Sequence, residues 1–223
     1  MEDVKEIGDV RFRHPCSVSV IGSSGTGKTS LILKIIDQIE HVMDFVPTKI
    51  LYVYGCYQPA FEKFPQVTFY DGWDHPGLEL NNLPTDSLLV CDDSVDLHPD
   101  KKFFVSFYTR ESHHLRVSII TIFHNVFSKV LPDMRTLNMN TMYTILTASK
   151  RCFDQIDCLA RQVFKSDSKA MIECYRRICE DQEWGYLVLD LHPKSNSMCK
   201  LRTNIFKEDG PRTIFVPKTQ RRF

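Results

Sequence analysis

The chain has 223 residues, of which 43% are hydrophobic and 25% charged, and its 28 basic and 28 acidic side chains cancel. This composition predicts one folded domain and excludes a disordered or fibrous chain. The N-terminus lacks a signal-peptide pattern, and no apolar run approaches the roughly 20 residues that span a bilayer. We therefore expect a soluble, intracellular protein without membrane contact. The neutral charge identifies no partner, because local basic loops can still contact nucleic acid.

Short apolar runs alternate with amphipathic segments along the chain. The first run, Ser17–Ile21, is a β-branched strand candidate that leads into Gly22-Ser-Ser-Gly-Thr-Gly-Lys-Thr29. The next segment has a stripe at helical spacing, which predicts one helix carrying Leu31, Ile32, Ile35, Ile36 and Ile39. Later strands are predicted at Lys49–Tyr54, Val67–Tyr70, Ser87–Cys91, Val117–Phe123, Tyr143–Thr147 and Tyr186–Leu191.

Helices are predicted at Lys101–Tyr108 and in two later segments, around residues 153–163 and 171–178. Strands that alternate with helices predict an α/β fold, with a mostly parallel central sheet, helices on both faces and a ligand site at the carboxyl ends of the strands. We assign residues 1–192 to this core. Residues 193–223 are expected to form an edge hairpin, which includes Thr213–Val216, and a basic tail of the same domain. For this tail we favour a solvated terminus over a DNA contact.

The segment after the first strand matches the P-loop pattern Gly-x-x-x-x-Gly-Lys-Thr. In such a loop, backbone N–H groups surround the β-phosphate, Lys28 reaches the β and γ oxygens, and the Thr29 hydroxyl binds Mg²⁺. A strand precedes the motif and a helix follows it, which is the context that the motif requires. We therefore predict an ATP and Mg²⁺ site formed by Gly22, Ser23, Ser24, Gly25, Thr26, Gly27, Lys28, Thr29 and Ser30.

Two acids follow the apolar strand Leu88–Cys91. Asp92 is placed to face the Mg²⁺ held by Thr29, and Asp93 is suited to polarise the attacking water. At least one strand lies in sequence between the P-loop strand and the Asp92 strand, which leaves room for a strand inserted between them, as in the additional-strand class of ATPases. GTPases are disfavoured because the sequence has no Asn-Lys-x-Asp segment.

Other polar residues complete the predicted catalytic set. His124 and Asn125 end the strand Val117–Phe123, where a polar side chain can sense the γ-phosphate. In a ring, an arginine of one subunit can reach a neighbour's site and stabilise transition-state charge. The candidates for this arginine are Arg110, Arg116 and Arg135.

Together these motifs resemble the poxvirus-type packaging ATPases of the FtsK/HerA superfamily, most closely those of Maverick/Polinton elements, adintoviruses and virophages. The resemblance covers nearly the whole chain. Besides the P-loop it includes Tyr52 to Pro59, Leu89 to Asp93, Ser112-His-His114, His124 to Phe127, Arg135 to Asn138 with Tyr143, and Gly185 to Asp190.

The resemblance implies a RecA-like motor that hydrolyses ATP and threads double-stranded viral DNA into a preformed capsid or its portal vertex. It implies a homo-oligomeric ring, a pentamer or a hexamer, at assembly sites in the host nucleus or cytoplasm, or in the virion. It also implies that Lys28, Thr29, Asp92 and Asp93 act as reasoned above, and that Arg110 or Arg135 is the trans-acting finger. One position departs from the family pattern, because His124-Asn125 stands where Gln-Asn is usual.

Two other functions remain open at this point. A small nucleotide kinase would share the P-loop, but it would normally add an arginine-rich lid and would not need a second acid at Asp93. A non-motor switch or scaffold within a capsid would bind nucleotide without turnover.

Overall fold

The computed structural model describes residues 9–127, 131 and 133–216. Within these residues nine strands form one sheet. The strands are β1 (Ser17–Ile21), β2 (Lys49–Tyr54), β3 (Val67–Asp71), β4 (Ser87–Asp92), β5 (Val117–Phe123), β6 (Tyr143–Thr147), β7 (Tyr186–Asp190), β8 (Leu201–Thr203) and β9 (Thr213–Ile214). The helices are α1 (Lys28–Asp37), α2 (Ile39–Val42), α3 (Lys101–Ser106), α4 (Ser112–His114), α5 (Met134–Asn140), α6 (Phe153–Phe164) and α7 (Ser168–Asp181).

The sheet order is β3-β2-β4-β5-β1-β6-β7-β8-β9. The six strands from β3 to β6 pair in parallel, whereas β7, β8 and β9 add antiparallel pairs at one edge. The prediction of an α/β fold with a mostly parallel sheet is therefore confirmed. The P-loop follows β1, which lies between β5 and β6, so the loop emerges near the middle of the sheet.

One strand separates the P-loop strand β1 from the Asp92 strand β4, as the additional-strand class requires. The inserted strand is β5, which follows β4 in sequence, whereas β2 and β3 lie on the far side of β4. The prediction of a strand inserted between β1 and β4 is confirmed. The expectation that this strand would also lie between them in sequence was wrong. All seven residues of β5 are buried, which suits a central position.

Each face of the sheet carries its own apolar core, because alternate residues of a strand point to opposite faces. Val18 and Val20 of β1 pack with the buried stripe of α1 on one face. On the other face, Ile119 and Phe123 of β5 belong to a cluster to which α3, α6 and α7 contribute. Helices therefore cover both faces, as predicted.

Several predicted helix boundaries were wrong. The first predicted helix breaks at Gln38, where φ is −111° and ψ is 34°, so Ile39 begins a separate helix α2. The helix predicted at Lys101–Tyr108 continues through a π-helical turn at Phe107–Glu111 into α4. Helix α5 was not predicted, because its seven residues are too few to show an apolar stripe.

Two short strands, β8 and β9, lie at the edge of the sheet in the C-terminal part of the chain. Strands β8 and β9 pair antiparallel, Arg202 with Ile214 and Thr203 with Thr213, so the β structure ends two residues before Val216. The basic residues Lys218, Arg221 and Arg222 lie outside the described residues. No helix in the described part of the chain is both long enough and apolar enough to cross a membrane.

Candidate nucleotide-binding site

The P-loop leaves β1 between the carboxyl ends of β5 and β6. The Gly22 N–H donates to the Phe123 carbonyl at 3.2 Å. A Cβ on Gly22 would lie 1.9 Å from the Thr147 hydroxyl oxygen, so only glycine fits here. Gly27 has a φ of 78°, the left-handed conformation that glycine adopts without strain. These two glycines curl the loop so that α1 begins directly at Lys28.

The Lys28 side chain lies under the loop and is only 6% exposed. Its ammonium group donates to the Ser23 carbonyl at 2.9 Å and lies 3.3 Å from His124 Nδ1. Burial lowers the pKa of Lys28, while the charges of Asp93 and Asp92 act in the opposite direction. The structure thus holds a cation at the point where the β and γ oxygens of a nucleotide are expected.

Asp92, at the end of β4, is buried and accepts two hydrogen bonds on one oxygen. The Thr29 hydroxyl donates to Oδ2 at 2.8 Å, and the Tyr52 hydroxyl donates to it at 2.7 Å. Burial raises the pKa of this carboxyl, although both hydrogen bonds act against the rise. A hydroxyl and a carboxylate side by side are the hard oxygen donors that Mg²⁺ prefers, so Thr29 and Asp92 fit the predicted metal role.

Asp93 and His124 are in hydrogen-bond contact at the same edge. His124 Nε2 lies 2.8 Å from Asp93 Oδ1, and about half of each side chain is exposed. In the tautomer with a proton on Nε2, His124 donates to Asp93 and accepts from Lys28. The imidazole therefore connects the P-loop lysine to the second acid, a contact that the sequence did not predict.

The backbone of Asp93 is held in an uncommon conformation. Its φ is 49°, in the left-handed region that non-glycine residues rarely adopt. Gly55 follows β2 and approaches it closely, since a Cβ on Gly55 would lie 2.3 Å from the Asp93 carbonyl oxygen. The Gly55 N–H also donates to the Asp92 carbonyl at 2.9 Å. Gly55, directly after β2, thus supports both acids.

These groups face one cavity of about 310 Å³. Most of the P-loop lines it, together with Asp92, Asp93 and His124. Two residues that sequence reasoning missed also line it, Gln58 and Trp184. Gln58 lies within the segment Tyr52 to Pro59 and Trp184 directly precedes Gly185 to Asp190, but the resemblance gave no role to either. Tyr52 was missed as well, because its contact with Asp92 depends on the pairing of β2 with β4.

A second set of contacts supports the P-loop from the side of β6. Ser23 Oγ lies 2.7 Å from Ser149 Oγ, and Thr26 Oγ1 lies 2.7 Å from Thr147 Oγ1. The Tyr175 hydroxyl of α7 donates to the Thr147 carbonyl at 3.0 Å and accepts from the Ser149 N–H at 3.1 Å. Helix α7 therefore fixes the loop that follows β6, and that loop contacts the P-loop.

The other predicted catalytic residues do not line this cavity, although Asn125 lines an adjoining one of about 280 Å³ with Asp93 and His124. Asn125 is exposed, and its side-chain oxygen accepts from Gln155 at 3.4 Å. Arg110 is exposed in the π-helical turn and pairs with Glu111 at 2.6 Å. Arg135 is exposed in the first turn of α5. The structure brings Lys28, Thr29, Asp92, Asp93 and His124 together, and the trans-acting role of either arginine stays a prediction.

No protein-family model and no curated protein sequence matches the chain. Its structure is similar to that of the genome packaging NTPase B204 from Sulfolobus turreted icosahedral virus 2. In the complex with ATPγS, the TM-score is 0.53 at 12% identity, over 91% of this chain and 97% of that chain. In the complex with AMPPCP, the TM-score is 0.54 at 15% identity, over the same shares of both chains, 91% and 97%.

B204 from Sulfolobus turreted icosahedral virus, a DNA-packaging ATPase, is similar with a TM-score of 0.51 at 12% identity, over 92% of this chain and 98% of that chain. At these identities the similarity establishes the fold. The chain therefore has the α/β fold of RecA-like P-loop ATPases.

Proposed function

We propose that this protein is an ATP-hydrolysing motor that translocates double-stranded viral DNA into a preformed capsid. The observation that carries the proposal is the convergence of Lys28, Asp93 and His124 beside the Thr29–Asp92 pair. A second acid next to the metal-binding acid suits phosphate transfer to water, which needs a positioned proton acceptor. The fold that the chain shares with B204, a genome packaging NTPase, also supports this function.

Each residue of the site has a physical role in hydrolysis. Lys28 would exchange its bond to the Ser23 carbonyl for bonds to phosphate oxygens. Asp93 would orient the attacking water and accept its proton. His124 holds the Asp93 carboxylate through Nε2, so that the acceptor oxygen is fixed before water arrives.

Thr29 and Asp92 would hold Mg²⁺, as the fit of their oxygen atoms indicates. Bound there, the ion would neutralise charge on the phosphate oxygens. Tyr52 positions Asp92 for this task, because its buried hydroxyl fixes the Oδ2 atom from the side opposite the P-loop strand.

The motor would act as a homo-oligomeric ring around DNA, with a capsid or portal vertex as its partner. A ring needs a trans-acting arginine, and placement in the fold favours Arg135. Helix α5 starts after β5 and leads to the amino end of β6, so Arg135 lies nearer the nucleotide edge. Arg110 precedes the amino end of β5 and is already paired with Glu111.

The motifs that resemble packaging ATPases also support a proposal about the family from which the chain comes. We assign the chain to packaging ATPases of the FtsK/HerA superfamily, near those of Maverick/Polinton elements, adintoviruses and virophages. It would then work in the host nucleus or cytoplasm, where virions assemble, or within the virion.

The test is hydrolysis of ATP with Mg²⁺ by wild type, Lys28→Ala and Asp93→Asn, each with and without duplex DNA. Both variants should lose roughly 100-fold or more of the turnover. Lys49→Ala and Asp37→Asn are matched controls, because both residues are exposed and neither lines the cavity. Duplex DNA should stimulate the wild type, and the stimulation should weaken steeply as salt rises.

Three results would replace the proposal. If duplex DNA never stimulates ATP turnover, the protein is not a DNA translocase. Transfer of phosphate to a nucleoside would establish a kinase, and nucleotide binding without turnover in any oligomer would establish a switch or scaffold.

A further inference from the structure

Trp184 is a large apolar side chain that the fold leaves exposed at the nucleotide edge. It is 64% exposed and precedes β7, at the carboxyl end of β6. Gly185 makes this placement possible, since a Cβ there would lie 2.6 Å from Ile178 and 2.9 Å from Gln182. Within the described part of the chain, the Trp184 indole N–H has no hydrogen-bond acceptor. Packing therefore does not explain why tryptophan stands here.

The indole lies over the P-loop. A Cβ on Gly27 would lie 3.1 Å from Trp184 Cε3 and 3.5 Å from Cζ3, so the six-membered ring covers the glycine that precedes Lys28. The ring also lines the 310 Å³ cavity that contains the phosphate-binding groups. A nucleotide bound there would pass close to this ring.

A second cavity, of about 440 Å³, begins where the first one ends. The two share Gly27, Ser30 and Trp184. The second cavity has an apolar wall formed by Leu31, Tyr186 and Phe206. Its volume is within the range of about 300–1,000 Å³ that small-molecule sites occupy, and an apolar wall with an exposed aromatic ring suits a planar ligand.

The order of groups along the two cavities favours one direction for a bound nucleotide. Asp93 and His124 mark the γ-phosphate end of the first cavity. Ser30 and Trp184 belong to both cavities, so the base would lie beyond them, in the second cavity.

We propose that Trp184 is the stacking platform for the purine base of the nucleoside triphosphate. This inference rests on the proposed function, because it requires the triphosphate to occupy the P-loop.

The subsite should distinguish adenine from guanine weakly. Asp209, the acid in its wall, already accepts from Lys34 on one oxygen and from the Tyr186 hydroxyl and the Phe206 N–H on the other. The Gln182 amide, which also lines this cavity, can both donate and accept and so can pair with the edge of either purine, whereas stacking accepts any base and strengthens with ring area. ATP and GTP should therefore bind with similar affinity, and pyrimidine nucleotides more weakly.

The experiment measures binding of ATPγS, GTPγS, CTP and inorganic tripolyphosphate, with Mg²⁺, by calorimetry. The proteins are wild type, Trp184→Ala, Trp184→Phe and Lys28→Ala, each checked for folding by thermal unfolding. Trp184→Ala should raise the Kd for ATPγS and GTPγS about tenfold or more and leave that for tripolyphosphate within about twofold. Trp184→Phe, which keeps an aromatic face, should retain most of the affinity.

Fluorescence gives a second readout, because the chain has only two tryptophans. The other, Trp73, is half-buried and donates to the Ser94 carbonyl at 2.6 Å. ATPγS should quench the emission of the wild type, tripolyphosphate should not, and the quenching should disappear in Trp184→Phe.

The outcomes separate the two proposals. Equal affinity of wild type and Trp184→Ala for ATPγS would overturn the stacking role, as would an equal loss for tripolyphosphate. The P-loop proposal would be overturned instead if the wild type bound neither nucleotide nor tripolyphosphate. It would also be overturned if Lys28→Ala bound these ligands as tightly as the wild type.

Discussion

His124 makes two contacts that one amide side chain could also make. Its Nδ1 lies 3.3 Å from the Lys28 ammonium, and its Nε2 lies 2.8 Å from Asp93. Glutamine, which the resemblance noted in the sequence implies at this position, has a carbonyl acceptor and an N–H donor on one group. The departure at position 124 therefore preserves the pattern of donors and acceptors.

We expect His124→Gln to keep steady-state ATP turnover within about fivefold of wild type, because the amide can replace both contacts. His124→Ala leaves Asp93 without its partner and should lower turnover roughly 10- to 100-fold, since a misplaced catalytic group costs that much. The affinity for ATPγS measures binding separately from turnover. Equal losses in the two variants would show that the imidazole acts in another way.

Single residues were the most predictable part of the site where they form a local motif. Eight consecutive residues, Gly22 to Thr29, predicted the P-loop, and the acids after β4 are likewise adjacent in sequence. Tyr52 and Trp184 could not be found in this way. Their contacts with the site depend on which strands become neighbours, and a short sequence window does not contain that information.

At the level of elements, the Tyr175 hydroxyl connects helix α7 to the P-loop through the loop that follows β6. Tyr175 joins the Thr147 carbonyl and the Ser149 N–H, and Ser149 contacts Ser23. The loop after β6 therefore transmits the position of α7 to the phosphate-binding loop.

Tyr175→Phe should lower the free energy of unfolding by about 1–3 kcal/mol, because it leaves buried backbone groups without a partner. It should also weaken ATPγS binding, since Ser149 loses its anchor. Denaturant unfolding and calorimetry measure the two effects. Tyr70→Phe is the matched control, because Tyr70 is also a buried tyrosine but its hydroxyl makes no hydrogen bond within the described part of the chain. A loss of stability as large in this control would refute the anchoring role.

The elements themselves were largely predictable, but their order in the sheet was not. Apolar runs marked β1, β2, β4, β5 and β6 with bounds that match within a residue. The insertion of β5 between β1 and β4 is a property of long-range pairing, and periodicity does not encode it. The break at Gln38 was missed because the apolar stripe continues across it into α2.

At the scale of the whole molecule, a buried ion pair links two strands of the antiparallel edge, β7 and β8. Asp190 at the end of β7 contacts Arg202 of β8, and both side chains are almost fully buried. Arg202 also lies over the rings of Phe12 and Tyr143, at 5.6 and 5.8 Å from the ring centroids. The edge strands thus depend on a charge pair inside an aromatic cluster.

Arg202→Met should lower the free energy of unfolding by about 3–5 kcal/mol, because it leaves the Asp190 charge buried and unpaired. The double variant Asp190→Asn/Arg202→Met should recover much of that loss, since neither partner then carries a charge and the amide oxygen can still accept from the His192 N–H. Urea unfolding of both variants measures the difference. A double variant no more stable than Arg202→Met would show that packing against the rings, rather than charge, is the dominant contribution.

The central position of β1 has a consequence for the newly made chain. Ser17 pairs with Ile119 and Val18 with Tyr143, so both neighbours of the first strand are synthesised long after it. Until then the phosphate-binding loop has no framework, and an apolar strand stays exposed, which favours aggregation. Nucleotide can therefore stabilise only molecules that have completed the centre of the sheet, and it cannot guide the early steps of folding.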